Sequence, residues 1–179
     1  IAFTYLLEDQ NMVNNQKFLD TYYKFSTDKS KKNEIFKIGN AIQLLKSGNT
    51  LTDVDLVDKN NQPFALSQIG NKKTVIFFWT ENLSSHYLSA HRKVLAFQSA
   101  HPDYQFIAIN LDKDQKKWTD NLGNIKSGNI LELRTTDFED LKAKWAITKV
   151  HRTIILNQDG SIKNAFTNLF DVDFEKELE

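Results

Sequence analysis

The segment Thr74–Trp79 constrains the fold more than any other part of the sequence. After its first residue it is continuously hydrophobic, so it has no polar face to turn toward water. Such a run predicts a central β-strand that is covered on both sides. A short turn over residues 80–83 follows, and the stretch from about Ser84 to Ala100 then predicts a helix whose N-cap is Ser84 or Ser85.

Strands and helices continue to alternate after this segment. A second apolar strand is predicted over residues 105–110, and because two apolar strands flank one helix they should pair in parallel through a right-handed crossover. The turn at residues 158–160 predicts an antiparallel hairpin that joins the same sheet. The fold class is therefore α/β, with a mixed sheet and flanking helices. The other predicted elements are strands over 51–57 and 64–66, helices over 112–122 and 136–145, an extended segment over 129–134, hairpin strands over 153–157 and 161–166, and a short acidic helix at the end.

The first part of the chain has a different pattern. Residues 14–47 carry two apolar stripes with helical spacing, interrupted at residues 26–28, and Gly48 is placed to end the second helix. We therefore predict an N-terminal helical extension over residues 1–48 and an α/β domain over residues 49–179. The pattern leaves open whether the extension packs on the sheet domain or carries an interface of its own.

Charge and composition exclude several functions. Lys and Arg total 23 and Asp and Glu total 23, so the balanced chain has no global field that would attract nucleic acid. No apolar run approaches the roughly 20 residues that a transmembrane helix needs. The chain starts at Ile1 without a recognisable signal peptide, so we expect a mature or trimmed sequence. The sequence contains no cysteine, which excludes disulfide exchange, thiol peroxidase chemistry and thiolate metal sites.

Three stretches of the sequence resemble a known superfamily. Residues 51–58 resemble its opening strand, although Thr52 stands where proline is usual, residues 75–79 resemble the strand that leads to its Cys-x-x-Cys pair, and residues 145–160 resemble its late loop and hairpin. From Leu51 onward the chain is identified by these stretches as similar to a thioredoxin-fold domain of the TlpA/ResA-like and AhpC/TSA (peroxiredoxin)-like type. The resemblance implies a thioredoxin-like three-layer fold with a central mixed sheet.

The reactive positions of that superfamily are altered in this sequence. Leu83 stands at the position of the attacking cysteine and His86 at that of the resolving one, and the peroxiredoxin pattern Thr-x-x-Cys read from Thr80 also ends on Leu83. His151 replaces the cis-proline that faces the thiols, and His91 replaces a proline later in the helix. The resemblance therefore implies a degenerate redoxin with no catalytic residues, and we expect no thiol–disulfide oxidoreductase activity.

The two histidines at the altered positions allow two interpretations. His86 is predicted in the first turn of a helix, where the helix dipole disfavours imidazolium, so we expect a neutral ring at neutral pH. The resemblance places His151 beside it, and two neutral imidazoles that converge with Glu81 would form half of a zinc or iron site. We favour the alternative that the imidazoles fill the vacated space and bond to the backbone or to each other, with no metal bound.

Other residues near this position also carry alternatives. Leu83 can pack against Trp79 or present a small apolar spot on the surface. A serine nucleophile activated by His86 and Glu81 is conceivable, but helix capping is the preferred role of Ser84 and Ser85.

The loop around His151 carries two further predictions. A cis bond before a non-proline residue costs about 2.5–4 kcal/mol, so we expect a trans Val150–His151 bond and a reshaped loop. Arg152, next to that loop, is placed to reach a carboxylate of a binding partner. His91 lies on an apolar helix face, which favours a hydrogen-bonded core histidine.

These observations lead to a prediction of function. We expect a protein- or peptide-binding or structural module without cofactor, with Trp79, Glu81 and Arg152 as candidate binding residues and no nucleic acid among its partners. TlpA/ResA-like domains with a helical extension are commonly exported and membrane-tethered, so the resemblance implies the bacterial cell envelope or periplasm. The alternative is a non-thiol enzyme or a metal-binding site built on His86 and His151.

Overall fold

The computed structural model describes residues 12–179. Its strands are β1 (Leu56–Val57), β2 (Pro63–Phe64), β3 (Lys73–Trp79), β4 (Tyr104–Asn110), β5 (Leu131–Thr135), β6 (Arg152–Leu156) and β7 (Ile162–Asn168). They form one seven-stranded mixed sheet in the order β2-β1-β5-β4-β3-β6-β7. The helices are α1 (Met12–Phe25), α2 (Lys29–Leu44), α3 (Ser84–Ala100), α4 (Gln115–Leu122) and α5 (Phe138–Trp145), and 3₁₀ turns cover Leu66–Ile69 and Phe174–Leu178.

The apolar segment predicted as a central strand organises the sheet. β3 pairs in parallel with β4, from Lys73 opposite Tyr104 to Trp79 opposite Asn110, and antiparallel with β6 on its other side. Each residue of Thr74–Trp79 is at most 1% exposed. The predicted α/β class, with its parallel pair and antiparallel hairpin, is confirmed.

Side chains of β3 alternate between two cores, one on each face of the sheet. Ile76 and Phe78 belong to the core under α5, which supplies Leu141 and Trp145. The opposite core lies under α3 and also contains Trp118 of α4, and its β3 members are Val75, Phe77 and Trp79. Because helices cover both faces, the domain has the three layers expected from the resemblance.

The N-terminal helices form a hairpin that packs on the sheet domain. Asp28 caps α2 by accepting hydrogen bonds from the backbone N–H groups of Ser30 and Lys31. The buried residues of this hairpin join the core that contains Ile76, and they are Leu19, Ile35, Ala41, Ile42 and Leu45. Of the two possibilities that the sequence left open, the helical hairpin thus packs on the sheet domain. The division into residues 1–48 and 49–179 stays a prediction, and residues 1–11 lie outside the part of the chain that the structure describes.

Some element boundaries differ from those predicted. The alternating segment 51–57 is a strand only at its last two residues, although Leu51 and Val54 are buried. Helix α2 ends at Leu44, so Gly48 lies in the following turn, at φ 89°, rather than directly after the helix. Leu51 and Val54 belong to the same core as Trp145 but form no strand ladder. Apolar spacing alone does not distinguish a buried loop residue from a buried strand residue.

Both edges of the sheet are protected from further strand pairing. β2 is very short and begins with proline, which has no N–H to donate. On the other edge, the start of β7 is paired with the 48–50 turn, where Gly48 and Ile162 N–H groups donate to Ile162 and Asn49 carbonyls. Further along β7, the Phe166 N–H donates to the Asn164 side chain at 2.9 Å. The shortness of β2 and the paired start of β7 therefore leave little free edge for a partner that adds a strand.

Candidate functional site

The turn after β3 is fixed by Asp112, which follows β4. The Thr80 hydroxyl donates to one carboxylate oxygen of Asp112 at 2.6 Å, and the Glu81 backbone N–H donates to the other at 2.7 Å. The Asn110 amide also donates to Asp112 at 2.9 Å. The carboxyl ends of two parallel strands are thereby tied together, and the tie sets where helix α3 begins.

Leu83 is the N-cap residue of α3 and offers no side-chain cap. Its side chain is 45% exposed, so of the two roles considered it takes that of an apolar spot on the surface. The expectation that Ser84 or Ser85 caps the helix is wrong, because the helix begins one residue earlier than a serine cap requires. Both serines are exposed at the first turn.

His86 lies in the first turn of α3 with both ring nitrogens buried and without a hydrogen-bond partner among the described residues. Its ring packs against Phe170, with centroids 5.4 Å apart. The pKa of His86 is lowered, first by burial and then by the positive charges that His151 and His91 would carry. The neutral ring predicted from the helix dipole is favoured here mainly by desolvation.

The two histidines of the altered site line the same narrow cavity. His86, Val150, His151 and Phe170 are among its walls, and its total volume is about 140 Å³, without room for a water molecule. Of the residues that replace the family's reactive groups, His86 therefore occupies the space between α3 and the 150–151 loop, whereas His151 is exposed on that loop. The expectation that the imidazoles bond to the backbone or to each other is wrong for His86, because neither of its ring nitrogens has a partner among the described residues. No cis peptide bond occurs within residues 12–179, so the Val150–His151 bond is trans as predicted.

Glu81 does not join the histidines. Its carboxylate accepts from Lys117 at 3.4 Å and from Asn121 at 3.2 Å, both on α4. Because the nitrogens of His86 have no partner among the described residues, the conceivable Ser-His-Glu arrangement is not formed. Among the side chains that the structure describes, no group of three His, Asp or Glu residues could hold a metal ion. A two-histidine metal site at His86 and His151 stays a prediction.

Arg152 turns inward instead of toward a partner. Its guanidinium donates to the Ala165 carbonyl at 2.8 Å and to the Ala146 carbonyl at 3.0 Å, and it lies 4.4 Å from the centre of the Phe166 ring. Burial lowers the pKa of Arg152 to about 10, so the group remains charged at neutral pH. The expectation that it reaches a partner's carboxylate is therefore wrong, because the group is buried and both of its terminal nitrogens donate to main-chain carbonyls.

Trp79 is also unsuited to the binding role considered for it. Its side chain is 0% exposed and packs at a tilt against Tyr87 and edge-to-face against His91 in the core under α3. His91 is 2% exposed, donates from Nδ1 to the Tyr87 carbonyl at 2.7 Å and meets Glu132 through Nε2 at 3.0 Å. It is the hydrogen-bonded core histidine that was predicted.

An open groove that the sequence did not reveal lies beside the altered site. It has a volume of about 360 Å³ and runs from the end of β3 to the loop before β6. We call it the loop groove, and it is lined by Thr80, Leu111, Phe138, Lys142, Ile147, Thr148, Lys149 and Val150. Its walls come from four separate segments of the chain. The sequence could have indicated the groove only through Thr80 and Val150, which lie close in sequence to the altered positions Leu83 and His151.

A pH prediction follows from the position of His86. The unfolded chain keeps the ordinary pKa of 6.5, whereas the folded chain has a lower one. At a pH between these two pKa values the unfolded state binds more protons than the folded state. The contribution of His86 to the free energy of unfolding is therefore fully present above its ordinary pKa, and it is lost as the pH falls toward the pKa of the folded chain. Urea unfolding from about pH 8 to about pH 5 should therefore show a steeper loss for the parent protein than for His86→Phe. The His101→Gln variant is the control, and equal slopes for parent and His86→Phe would contradict the assignment.

The order of strands and helices around this site defines a class of protein, the thioredoxin fold. The profile of the family described as thioredoxin-like matches residues 70–162, just over half of the 179-residue chain. The chain belongs to the thioredoxin-like family, which confirms the resemblance seen in the sequence. No curated protein matches the chain.

Solved structures agree with this assignment of fold. A protein named as a thiol-disulfide oxidoreductase from Bacteroides vulgatus is 21% identical, with a TM-score of 0.63 over 75% of this chain and 95% of that one. The C-terminal domain of a similarly named protein from Bacteroides thetaiotaomicron is 19% identical, with a TM-score of 0.61 over 74% and 93% of the two chains. A thiol peroxidase from Chromobacterium violaceum is 19% identical, with a TM-score of 0.61 over 74% and 85%. At these identities the similarity is one of fold.

Among the helices between residues 12 and 179, none combines the length and the apolar character needed to cross a bilayer.

Proposed function

We propose that this protein is a catalytically degenerate thioredoxin-like domain that binds a segment of another protein or peptide in the loop groove, without thiol–disulfide exchange. The observation that carries the proposal is the contrast at the altered site. Leu83 is 45% exposed where the family places its attacking cysteine, while the groove next to it stays open with a volume of about 360 Å³.

The composition of the groove supports a peptide as its occupant. Its walls carry aliphatic and aromatic side chains from Leu111, Phe138, Ile147 and Val150, with lysines at the margin. Apolar walls with a few polar groups favour side chains of similar character, which bury their surface there. Because the sheet edges are protected, a groove between a helix and a loop is the better route for recognition of an extended segment.

The cellular location belongs to the same proposal. The bacterial cell envelope or periplasm is supported by the resemblance to TlpA/ResA-like domains, which are commonly exported. Fractionation of the native host with an antibody to the domain tests it, and recovery of the domain in the cytosolic fraction alone would contradict it.

Blocking the groove should abolish peptide binding. Thr148 is half-buried in the groove wall, so Thr148→Trp places a large ring in the space. We expect a fluorescein-labelled peptide of alternating leucine and glutamine to bind the parent protein saturably in fluorescence polarisation, and the variant to lose at least about tenfold in affinity, or about 1.4 kcal/mol. Ser67→Trp, which fills a different cavity, is the matched control. Equal binding by Thr148→Trp, or no binding by the parent, would contradict the proposal.

A second candidate function is a metal-binding site at His86 and His151. The observation that favours it is that neither ring nitrogen of His86 has a hydrogen-bond partner within the part of the chain that the structure describes, although His151 lines the same cavity. Neutral imidazoles of this kind are common zinc ligands. Elemental analysis of protein purified without chelators tests the idea, since substoichiometric metal that is unchanged in His86→Phe would exclude it.

A further inference from the structure

A second cavity extends the loop groove onto the N-terminal helical hairpin. It has a volume of about 200 Å³, lies between α2 and α5, and is lined by Lys37, Ile38, Glu139, Lys142, Ala143, Ala146 and Thr148. We call it the hairpin cavity. Lys142 and Thr148 line both spaces, so the two adjoin along one wall. We call the two adjoining spaces together the cleft, and the N-terminal extension lines one end of it.

The charge of this cleft is one-sided. Two lysines, Lys37 and Lys142, line the hairpin cavity, against the single carboxylate of Glu139 in its lining. The Glu139 carboxylate lies 3.7 Å from the Lys142 Nζ, and both side chains are exposed enough for water to screen the pair. The chain as a whole has equal numbers of positive and negative residues, so the excess is local to the cleft.

Another cavity of the same protein is lined by negatively charged rather than positively charged residues. The space of about 300 Å³ at the opposite end of the sheet domain contains Asp53 and Asp159 and no lysine. Open spaces on this molecule thus differ in charge. An anionic ligand is favoured in the cleft and disfavoured in that cavity.

The cleft also has apolar walls along its length. Leu111, Phe138 and Ile147 line the loop groove, and Ile38 and Ala143 line the hairpin cavity. An extended peptide advances about 3.3 Å per residue and turns successive side chains to opposite sides. A segment that alternates apolar and acidic residues would place its apolar side chains against the apolar walls of the cleft and its acidic side chains against the lysines.

We infer that the partner is an acidic peptide segment with alternating apolar residues, which binds along the loop groove and the hairpin cavity and pairs with Lys37 and Lys142. The inference rests on the proposed function and adds to it the charge class of the partner and a role for the N-terminal hairpin. The apolar walls favour a peptide over a nucleic acid, whose backbone offers charge without apolar side chains.

Charge reversal tests this inference. Fluorescein-labelled peptides that alternate leucine with glutamate, glutamine or lysine are compared on the parent protein and on Lys37→Glu/Lys142→Glu. We expect the glutamate peptide to bind the parent at least about fivefold more tightly than the glutamine peptide at low salt, and this preference to shrink as salt rises. The double variant should lose the preference or reverse it. Lys59→Glu/Lys72→Glu, which changes two exposed lysines at the opposite end of the sheet, should keep it.

The outcomes separate this inference from the proposed function. An acidic partner is excluded if the parent protein binds the glutamate peptide no more tightly than the glutamine peptide, or if the double variant still binds the glutamate peptide more tightly. In both cases the peptide-binding role stands. If no peptide binds the parent protein, the proposed function itself fails. An oligodeoxythymidylate that binds as tightly as the glutamate peptide and is lost equally in Lys37→Glu/Lys142→Glu would overturn the choice of a peptide. Circular dichroism confirms that each variant is folded.

Discussion

Leu83→Cys/His86→Cys should turn this protein from one without thiol chemistry into one that reduces insulin disulfides in the presence of dithiothreitol. Position 83 is exposed at the start of a 17-residue helix, where the helix dipole lowers the pKa of a thiol and raises its thiolate fraction. Position 86 lies in the same first turn and can supply the resolving thiol. The parent protein has no cysteine and should give the uncatalysed rate.

Two controls make this result specific to the site. Leu83→Cys alone should react with a disulfide reagent but should not turn over, because the mixed disulfide has no resolving partner. Ser99→Cys places a thiol at an exposed position near the far end of the same helix and should react more slowly. If the thiol introduced at position 83 is no more reactive than the one at position 99, the site does not retain the electrostatics of the family.

Arg152→Ala should cost several kcal/mol of unfolding free energy. The variant leaves the buried carbonyls of Ala146 and Ala165 without their donors, and each buried unsatisfied group costs about 1–3 kcal/mol. It also removes a buried side chain that packs over Phe166. A loss of about 3 kcal/mol corresponds to a fall in Tm of roughly 6–12 °C for a protein of this size.

Urea unfolding of Arg152→Ala beside Arg92→Ala measures the effect. Arg92 is exposed on α3, and its truncation should change stability by less than about 0.5 kcal/mol. Arg152→Lys should lie between the parent and Arg152→Ala, because one ammonium cannot reproduce both hydrogen bonds of the planar guanidinium. Equal stabilities of Arg152→Ala and Arg92→Ala would show that the inward orientation of the guanidinium is not what secures the β6–β7 hairpin.

The parts of the fold that follow from local pattern were predictable. The strand Thr74–Trp79 is too apolar for any exposed face, and helix Ser84–Ala100 ends before His101-Pro102, so both appear at the predicted residues. The segment 51–57 has the alternation of a strand, but only its end reaches a partner strand. Whether a segment pairs as a strand depends on which other strands the fold places beside it, and the local alternation of apolar residues carries no information about those neighbours.

The position of the site along the chain was predictable, but the directions of its side chains were not. The sequence places Leu83 and His86 at the start of α3 because the strand, turn and helix are local signals. The inward turn of Arg152 depends on carbonyls of Ala146 and Ala165, which belong to a loop and to another strand. The loop groove was missed for the same reason, since its walls meet only after the sheet and α5 have assembled.

The central claim is that a partner segment binds beside a site that has lost its thiol chemistry. A titration of the nitrogen-15-labelled protein with the leucine–glutamate peptide, followed by backbone amide shifts, tests it most directly. We predict saturable shifts concentrated at Thr80, Lys142, Thr148 and Val150. Saturable binding whose shifts cluster instead around Asp53 and Asp159, or the absence of any saturable shift, would contradict it.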